Sequence, residues 1–317
     1  MSLISIVVPC YKEEASLPIF MEELTRVVTL MQENDPDLEF ELVLVDDGSP
    51  DNTLAVIKSL ARQEGPVRVR WISFSRNFGK EAALYAGLQA ARGDYVATMD
   101  ADLQDPPSLL PEMLEALNSE DYDNVATRRS TREGEPKIRS AFARLFYRII
   151  NRISDADIVD GARDFRLMKR RMVDAILSMG EYNRFSKGIF GWVGFRTKWI
   201  EYENVQRAAG ESKWNFFSLF LYSIDGIVGF STAPLAIASI VGVICSFIAI
   251  VFLVIILVRA LAFGDPVAGW PSTMSVILLL GGLQMLFLGI IGQYLAKAYL
   301  EVKRRPLYVV RETDEDE

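Results

Sequence analysis

The chain has 317 residues, half of them hydrophobic, and a formal net charge of −8 at neutral pH. It contains no histidine, which excludes a histidine general base, a Ser-His-Asp triad and a histidine-ligated zinc site. Its two cysteines, Cys10 and Cys245, lie in apolar segments. This pattern is typical of reduced thiols and not of a disulfide framework.

The charged residues are unevenly distributed. Residues 1–127 carry 9 Lys and Arg against 23 Asp and Glu, whereas residues 128–213 carry 19 against 11. An acidic half joined to a basic segment predicts two surfaces, the basic one facing an anionic partner. The first nine residues are too short for a signal peptide and lack a basic leader.

Strands and helices are predicted to alternate through the first part of the chain. The strands cover about 3–9, 40–45, 68–74 and 93–99, and the helices between them cover about 16–31, 53–63 and 80–91. This alternation is typical of right-handed βαβ units, so we predict an α/β fold with a mostly parallel sheet. In such a sheet, ligands bind beyond the carboxyl ends of the strands.

The end of the fourth strand carries the most informative motif. Asp100 and Asp102 are two residues apart, so in extended backbone both carboxylates leave on the same side. A hard divalent cation, Mg²⁺ or Mn²⁺, fits two converging carboxylates and leaves positions open for substrate phosphates, and Gln104 offers a further oxygen. The alternative is a solvated acidic turn.

Polar clusters also follow the first three strands. They are Pro9-Cys10-Tyr11-Lys12-Glu13, Asp46-Asp47-Gly48-Ser49 and Arg76-Asn77-Phe78-Gly79-Lys80. Carboxylates at the first two are suited to bind a base and ribose hydroxyls. Lys80 or Arg76 either neutralises phosphate charge or simply begins a helix.

The basic segment continues with several predicted elements. A basic amphipathic helix over about 137–153 either packs on the domain or lies in a membrane interface. A helix is predicted over 169–178 and a strand over 192–199. Residues 214–230 are aromatic and apolar with only Asp225 charged, which predicts a juxtamembrane interfacial helix over 214–232.

Two runs near the C-terminus, 234–258 and 274–296, contain no charged residue. Each exceeds the roughly 20 residues needed to cross a bilayer, so we predict two transmembrane helices rather than a buried helix pair. Small residues at Gly282, Gly289 and Gly292 could form a helix–helix face and allow a homo-oligomer. Cations at 297 and 303–305 follow the second run, which predicts both termini in the cytoplasm. The acidic residues 312–317 are predicted to be a solvated tail.

The motifs Val-Val-Pro-x-Tyr-x-Glu, Val-Asp-Asp-Gly-Ser and Met-Asp-Ala-Asp-Leu-Gln together resemble the inverting GT-A glycosyltransferases of family two, over roughly residues 3–215. The resemblance implies a Rossmann-like GT-A catalytic domain and a nucleotide-sugar donor bound through Asp46 and Asp47. It also implies a diphosphate held by a metal on Asp100 and Asp102. By the same resemblance the donor site includes Pro9, Tyr11, Glu13 and Lys80.

The second half is similar to the polyprenyl-phosphate glycosyltransferases, through Asp164-Phe165-Arg166-Leu167 and Gly210-Glu211-Ser212-Lys213-Trp214 before two membrane helices. This similarity implies that Gln104 is a metal ligand and that Arg128 and Arg139 approach the acceptor phosphate. It also implies that Arg207 and Lys213 close over the phosphates. Asp164 either positions the acceptor, acts as a base or caps a turn.

The implied reaction is inverting transfer of a hexose to polyprenyl phosphate, with undecaprenyl phosphate as the expected acceptor. UDP-glucose is the favoured donor, and GDP-mannose or another UDP-sugar is the alternative. A polyprenyl phosphate is already an anion, so its attack needs little help from a general base, which agrees with the missing histidine. A non-catalytic membrane scaffold and a transporter are the alternatives from other classes.

The predicted organisation has four parts. Residues 1–213 form the GT-A domain and 214–232 the interfacial helix. Residues 233–298 form the transmembrane hairpin and 299–317 a cytoplasmic tail. The expected partners are the donor, the lipid acceptor and membrane lipids, without nucleic acid, at the inner or plasma membrane.

Overall fold

A computed structural model of the protein describes residues 2–129, 151–153, 159, 161–202, 227–263 and 269–316. Elements are numbered here along those residues. The strands are β1 (Ser2–Cys10), β2 (Leu38–Asp46), β3 (Arg68–Phe74), β4 (Tyr95–Thr98), β5 (Asn124–Arg129), β6 (Ala162–Lys169), β7 (Thr197–Tyr202) and β8 (Val310–Thr313). The helices are α1 (Leu17–Asn34), α2 (Thr53–Ala61), α3 (Lys80–Ala90), α4 (Leu110–Ser119), α5 (Arg170–Ser178), α6 (Ser186–Trp192), α7 (Ala233–Phe263) and α8 (Trp270–Lys303).

The eight strands form one mixed sheet in the order β7-β5-β6-β4-β1-β2-β3-β8. Strands β4, β1, β2 and β3 are parallel neighbours, and β5 pairs in parallel with β7. The antiparallel pairs are β4 with β6, β5 with β6 and β3 with β8. The mostly parallel α/β sheet that the alternating pattern predicts is therefore confirmed.

Helices cover both faces of the sheet, because the central strands are apolar on both sides. One core contains Phe20 and Leu24 of α1, Ile57 of α2 and Met113 of α4. The other contains Ala83 of α3 together with residues of α5 and α6. Helix α3 lies close to β1, since a Cβ added at Gly87 would stand 2.2 Å from Val7 Cγ1.

The predicted elements agree with the structure over most of the N-terminal domain, and β3 has the bounds that its sequence pattern predicts. The strand predicted over 192–199 is wrong in its first half, because α6 ends at Trp192 and residues 193–196 form neither helix nor strand. Strand β7 begins only at Thr197. The predicted helices over 137–153 and 214–232 lie largely outside the described residues.

The acidic C-terminus is not a solvated tail. Val310–Thr313 form β8 on the open edge of β3, and Asp314–Asp316 form a short 3-10 helix. Glu312 Oε2 lies 2.6 Å from Lys58 Nζ, and Glu315 Oε1 lies 3.0 Å from Arg92 Nη2. The basic partners come from segments more than 200 residues earlier, so the sequence pattern alone does not reveal the pairing.

Helices α7 and α8 are long enough and apolar enough to cross a membrane. Their large apolar side chains are exposed, with Val243 at 70% and Leu279 at 71%. A buried pair of core helices would hide such residues. The exposure therefore agrees with the two predicted spans and with contact with lipid.

Candidate functional site

The predicted donor cluster lies along one edge of the sheet, at the carboxyl ends of β1 to β4. Parallel register places Cys10 beside Asp46 and Asp46 beside Ser73. Asp47 N donates to Cys10 O at 2.9 Å, and Met99 N donates to Val7 O at 3.1 Å. The four polar clusters of the sequence therefore meet at one edge, as the βαβ pattern predicts.

The first of these clusters has an unusual backbone. Lys12 adopts a φ of 59°, a left-handed conformation that is uncommon for a residue with a side chain. Its N–H donates to Ser49 Oγ at 3.1 Å, and Glu13 N donates to Thr53 Oγ1 at 2.9 Å. These bonds fix the segment that carries Pro9, Tyr11 and Glu13 against the loop after β2.

Asp46 and Asp47 are both buried, and their carboxylates hold neighbouring loops. Asp46 accepts hydrogen bonds from Ser49 N at 3.0 Å and from Ser73 Oγ at 2.8 Å. Asp47 accepts from Phe78 N at 2.6 Å and from Gly79 N at 2.9 Å. Burial raises the pKa of Asp47, and the two backbone donors partly oppose that shift. Both acids therefore also shape the site.

Gly48 allows the loops after β2 and β3 to touch. It has a φ of +63°, and a Cβ at this position would stand 2.3 Å from the carbonyl carbon of Arg76. Only glycine fits such a conformation at this close approach. The guanidinium of Arg76 in turn lies 4.0 Å from the ring centre of Phe78.

Lys80, at the start of α3, joins two carboxylates that are far apart in sequence. Its Nζ lies 2.7 Å from Asp100 Oδ1 and 2.5 Å from Asp164 Oδ2. Burial disfavours the charged forms of Lys80 and Asp164. The ion pairs have the larger effect, so the pKa of Lys80 is raised and the pKa of Asp164 is held well below its usual range. The sequence did not predict that Lys80 contacts Asp164.

Asp102 and Gln104 lie on a tight turn after β4. Leu103 between them has a φ of 57°, and Gln104 N donates to Asp102 Oδ1 at 3.1 Å. The Gln104 side chain accepts a hydrogen bond from Arg163 Nη2 at 3.2 Å.

The sequence analysis did not predict a second cluster near this turn, formed by Asp105, Arg163 and Tyr202. Asp105 is buried, accepts from Arg163 Nε at 2.9 Å and is hydrogen-bonded by the Tyr202 hydroxyl. Burial raises the pKa of Asp105, and the Arg163 charge lowers it in part. The only sequence feature that could have indicated this cluster was Asp105 itself, a third acid three residues after Asp102. Its partners are 58 and 97 positions away.

The predicted acceptor cations are only partly covered by the structure. Arg128 on β5 forms an ion pair with Glu201 on β7. Arg139, Arg207 and Lys213 lie outside the described residues.

A divalent cation fits the residues present at Asp100 and Asp102. Lys80 Nζ lies within 2.9 Å of both oxygens of Asp100, so a metal ion here would share that carboxylate with the ammonium. Within the described part of the chain, no group of three or more acidic, cysteine or histidine residues is placed to hold a metal. Two carboxylates suffice for Mg²⁺ or Mn²⁺ only when a diphosphate and water complete the coordination. A metal at this corner would therefore need the diphosphate of a nucleotide among its ligands.

Comparison with known proteins gives full-length relatives. Residues 5–177 match the model for Glycosyl transferase family 2. The putative glycosyltransferase CsbB of Bacillus subtilis (strain 168) is 42% identical over 312 residues, which cover 98% of this chain and 92% of that protein. The bactoprenol glucosyl transferase of Shigella phage SfII is 40% identical over 310 residues, covering 98% of both.

Among solved structures, glucosyl-3-phosphoglycerate synthase from Mycobacterium tuberculosis in complex with Mn²⁺, UDP and glucosyl-3-phosphoglycerate is similar to this chain. It is 19% identical, with a TM-score of 0.47, over 72% of this chain and 78% of its own. This similarity is too low for the groups bound there to be assigned to the present site.

Proposed function

The chain belongs to glycosyl transferase family 2, and on this premise we propose that it transfers a hexose from a nucleotide-diphosphate sugar to polyprenyl phosphate. Family membership and the GT-A fold confirm the resemblance seen in the sequence. The observation that carries the acceptor assignment is the 40% identity to a bactoprenol glucosyl transferase. That identity spans 98% of both chains and therefore includes the two apolar helices.

The donor is assigned to the edge formed by β1 to β4. Pro9, Tyr11, Glu13, Asp46 and Asp47 surround the proposed nucleoside position. UDP-glucose is the favoured donor because the named relatives include glucosyl transferases. GDP-mannose or another UDP-sugar remains the alternative donor within the same reaction.

The diphosphate is assigned to the corner of Asp100, Asp102 and Gln104. A Mg²⁺ or Mn²⁺ ion bound there supplies positive charge that stabilises the departing diphosphate. Lys80 adds a fixed ammonium beside Asp100, and Arg207 and Lys213 are proposed to close over the phosphates. Gln104 would exchange its bond with Arg163 for one to the ion.

The acceptor needs positioning more than activation. A phosphate oxygen of the lipid bonds to the anomeric carbon as the bond from that carbon to the diphosphate oxygen breaks, which inverts the centre. No proton has to leave the attacking group. Asp164 is held ionised by Lys80, so we assign it to positioning the site and not to proton transfer.

The proposed topology has two crossings, α7 and α8, with both termini in the cytoplasm. The segment after α8 pairs with β3 as β8, which supports a C-terminus on the same side of the membrane as the sheet domain. The cations after α8 support the cytoplasmic side. The basic segment 128–213 then faces anionic lipid headgroups.

The test is a donor panel. Purified full-length protein in lipid nanodiscs is mixed with Mg²⁺, undecaprenyl phosphate and separately labelled UDP-glucose, other UDP-sugars or GDP-mannose. Lipid-linked sugar from one donor, with the inverted anomer by NMR, is the expected result. If no donor gives lipid-linked product, the enzyme assignment fails and a non-catalytic scaffold is favoured.

A further inference from the structure

A cavity of about 200 Å³ is lined by Arg166 of β6 together with residues of β5, β7 and α6. Sheet register explains its position, because Arg166 on β6 lies beside Ala126 on β5, which lies beside Trp199 on β7. Arg166 and Trp199 both line the cavity. Residues Lys187, Phe190 and Gly191 of α6 form the opposite wall.

The cavity is next to the proposed reaction centre. Arg166 pairs in register with Thr98 on β4, and Asp100 follows Thr98 by two residues. The strand that supplies Arg166 to the cavity is therefore the neighbour of the strand that leads into the proposed diphosphate position.

Arg166 is a buried cation without a full set of partners. It is 2% exposed, its Nη2 donates to Arg163 O at 3.3 Å and its guanidinium stacks 3.4 Å from the ring centre of Phe190. No acceptor lies within hydrogen-bond distance of its Nε in the structure of the described residues. An unsatisfied buried donor is costly, so this atom is expected to bind a ligand or water.

The charges around the cavity favour an anion. Lys187 is a second cation on its wall. Asp164 interacts electrostatically with both Lys187 and Arg166, and it is also bound by Lys80 Nζ at 2.5 Å. Asn124 on the floor is 1% exposed, and its Oδ1 has no donor among the described residues. A phosphate dianion can accept hydrogen bonds from Arg166 Nε and Lys187, and a water molecule beside it can donate to Asn124 Oδ1.

The remaining walls are aromatic. Phe190, Phe195 and Trp199 line the cavity and give it an apolar side next to the cations. A free phosphate ion would leave this apolar wall uncovered. An isoprenoid chain attached to the phosphate would cover it.

We propose that this cavity is the acceptor subsite, in which Arg166 and Lys187 bind the phosphate of polyprenyl phosphate and the aromatic wall holds the first isoprene unit. The inference rests on the proposed function, since it takes the lipid acceptor from that proposal. It adds two cations and an aromatic wall to the arginines that the sequence resemblance implies.

The experiment measures binding apart from turnover. Farnesyl phosphate is titrated by calorimetry into the full-length protein in phosphatidylcholine nanodiscs, with farnesol and inorganic phosphate as separate probes. Lys187→Gln and Arg166→Lys are compared with Lys198→Gln, a control at a lysine of β7 that does not line the cavity. Thermal unfolding confirms that each variant is folded.

We expect the Kd for farnesyl phosphate to rise about tenfold in Lys187→Gln and Arg166→Lys, as for loss of a charged hydrogen bond, and to stay unchanged in Lys198→Gln. Farnesol and inorganic phosphate should bind at least tenfold more weakly. An unchanged Kd in Lys187→Gln overturns the proposal, as does absence of binding to the native protein. Equal competition by inorganic phosphate or by phosphatidylglycerol nanodiscs overturns the assignment to the acceptor.

Turnover separates this inference from the proposed function. If native protein binds farnesyl phosphate through Lys187 but transfers no sugar from any donor, the function fails and the subsite stands. If Lys187→Gln makes product with an unchanged KM for the lipid, the subsite fails and the function stands. A raised lipid KM with an unchanged donor KM supports both.

Discussion

Buried charged side chains differ in their hydrogen bonding between the two halves of the sheet. In the donor half, β1 to β4 with their loops, the buried acids Asp46 and Asp47 are hydrogen-bonded by nearby hydroxyl and backbone groups. In the proposed acceptor half, β5 to β7 with α6, the Nε of the buried cation Arg166 has no acceptor among the described residues and lies beside a cavity. The donor half is thus pre-organised by its own hydrogen bonds, whereas an anion bound in the cavity would supply the partner for Arg166 Nε.

The largest expected effect lies at the corner where the halves meet. Asp102→Asn removes one of two proposed metal carboxylates while keeping the size of the side chain. We expect turnover to fall by about 10³-fold or more, as for loss of a principal electrostatic contact, with thermal unfolding little changed. Glu115→Gln, on the exposed face of α4, is the control and should keep full activity. Retained turnover in Asp102→Asn would disprove the metal assignment.

The rigidity of the donor half is tested by Gly48→Ala. The new Cβ would meet the Arg76 backbone in a left-handed conformation, so we expect a loss of about 2–4 kcal/mol in unfolding free energy. Gly65→Ala is the matched control, since a Cβ there meets nothing within 4 Å. Equal stability of the two variants would show that the loops after β2 and β3 are not tightly packed.

The ion pair between the halves predicts a pH dependence. Cations near Asp164 hold its folded-state pKa below the unfolded value of about 3.9. Its ionised form therefore stabilises the fold above about pH 4, and this contribution is lost as the pH falls through the lower folded-state pKa. The difference in stability between the native protein and Asp164→Asn should be constant from pH 8 to 5.

Below about pH 4 the stability difference between the native protein and Asp164→Asn should shrink. Thermal unfolding of both proteins in detergent at each pH measures this difference. Asp37→Asn, at an exposed position, is the control variant. A stability difference that grows as the pH falls would mean that Asp164 is not held ionised by its neighbours.

The smallest effect concerns the edge of the donor half. Glu312→Gln breaks the pair between β8 and Lys58, both partly exposed, so we expect a loss of only about 0.5–1 kcal/mol. Glu39→Gln, an exposed acid on β2, is the control. One result would contradict this expectation: Glu312→Gln leaves the unfolding temperature unchanged, but high salt lowers the unfolding temperature of the native protein. In that case the other acidic residues of the C-terminus, and not Glu312, hold β8 in place.

The sequence predicted the donor half better than the acceptor half, for a physical reason. Parallel strands are continuous apolar runs, and parallel strands that end together bring Asp46 and Asp100 to one edge without further information. The cavity depends on the register that aligns Arg166, Ala126 and Trp199 across three strands. Local periodicity does not encode that register.

The C-terminal strand shows the same limit. A run of acids is typical of a solvated segment, and only the three-dimensional path of α8 brings Glu312 to Lys58. The pairing of Lys80 with Asp164 likewise joins residues 84 positions apart. The residue types at these positions indicated charged contacts, but the sequence pattern did not indicate which residues would pair.

The most direct test of the central claim is the rate of lipid-linked sugar formation in one preparation before chelation, after chelation and after Mn²⁺ is restored. If the carboxylates of Asp100 and Asp102 hold the donor diphosphate through a divalent ion, chelator should abolish transfer and Mn²⁺ should restore it. The Asp102→Asn variant should then stay inactive at every metal concentration. Transfer that continues at its full rate in chelator would contradict the account.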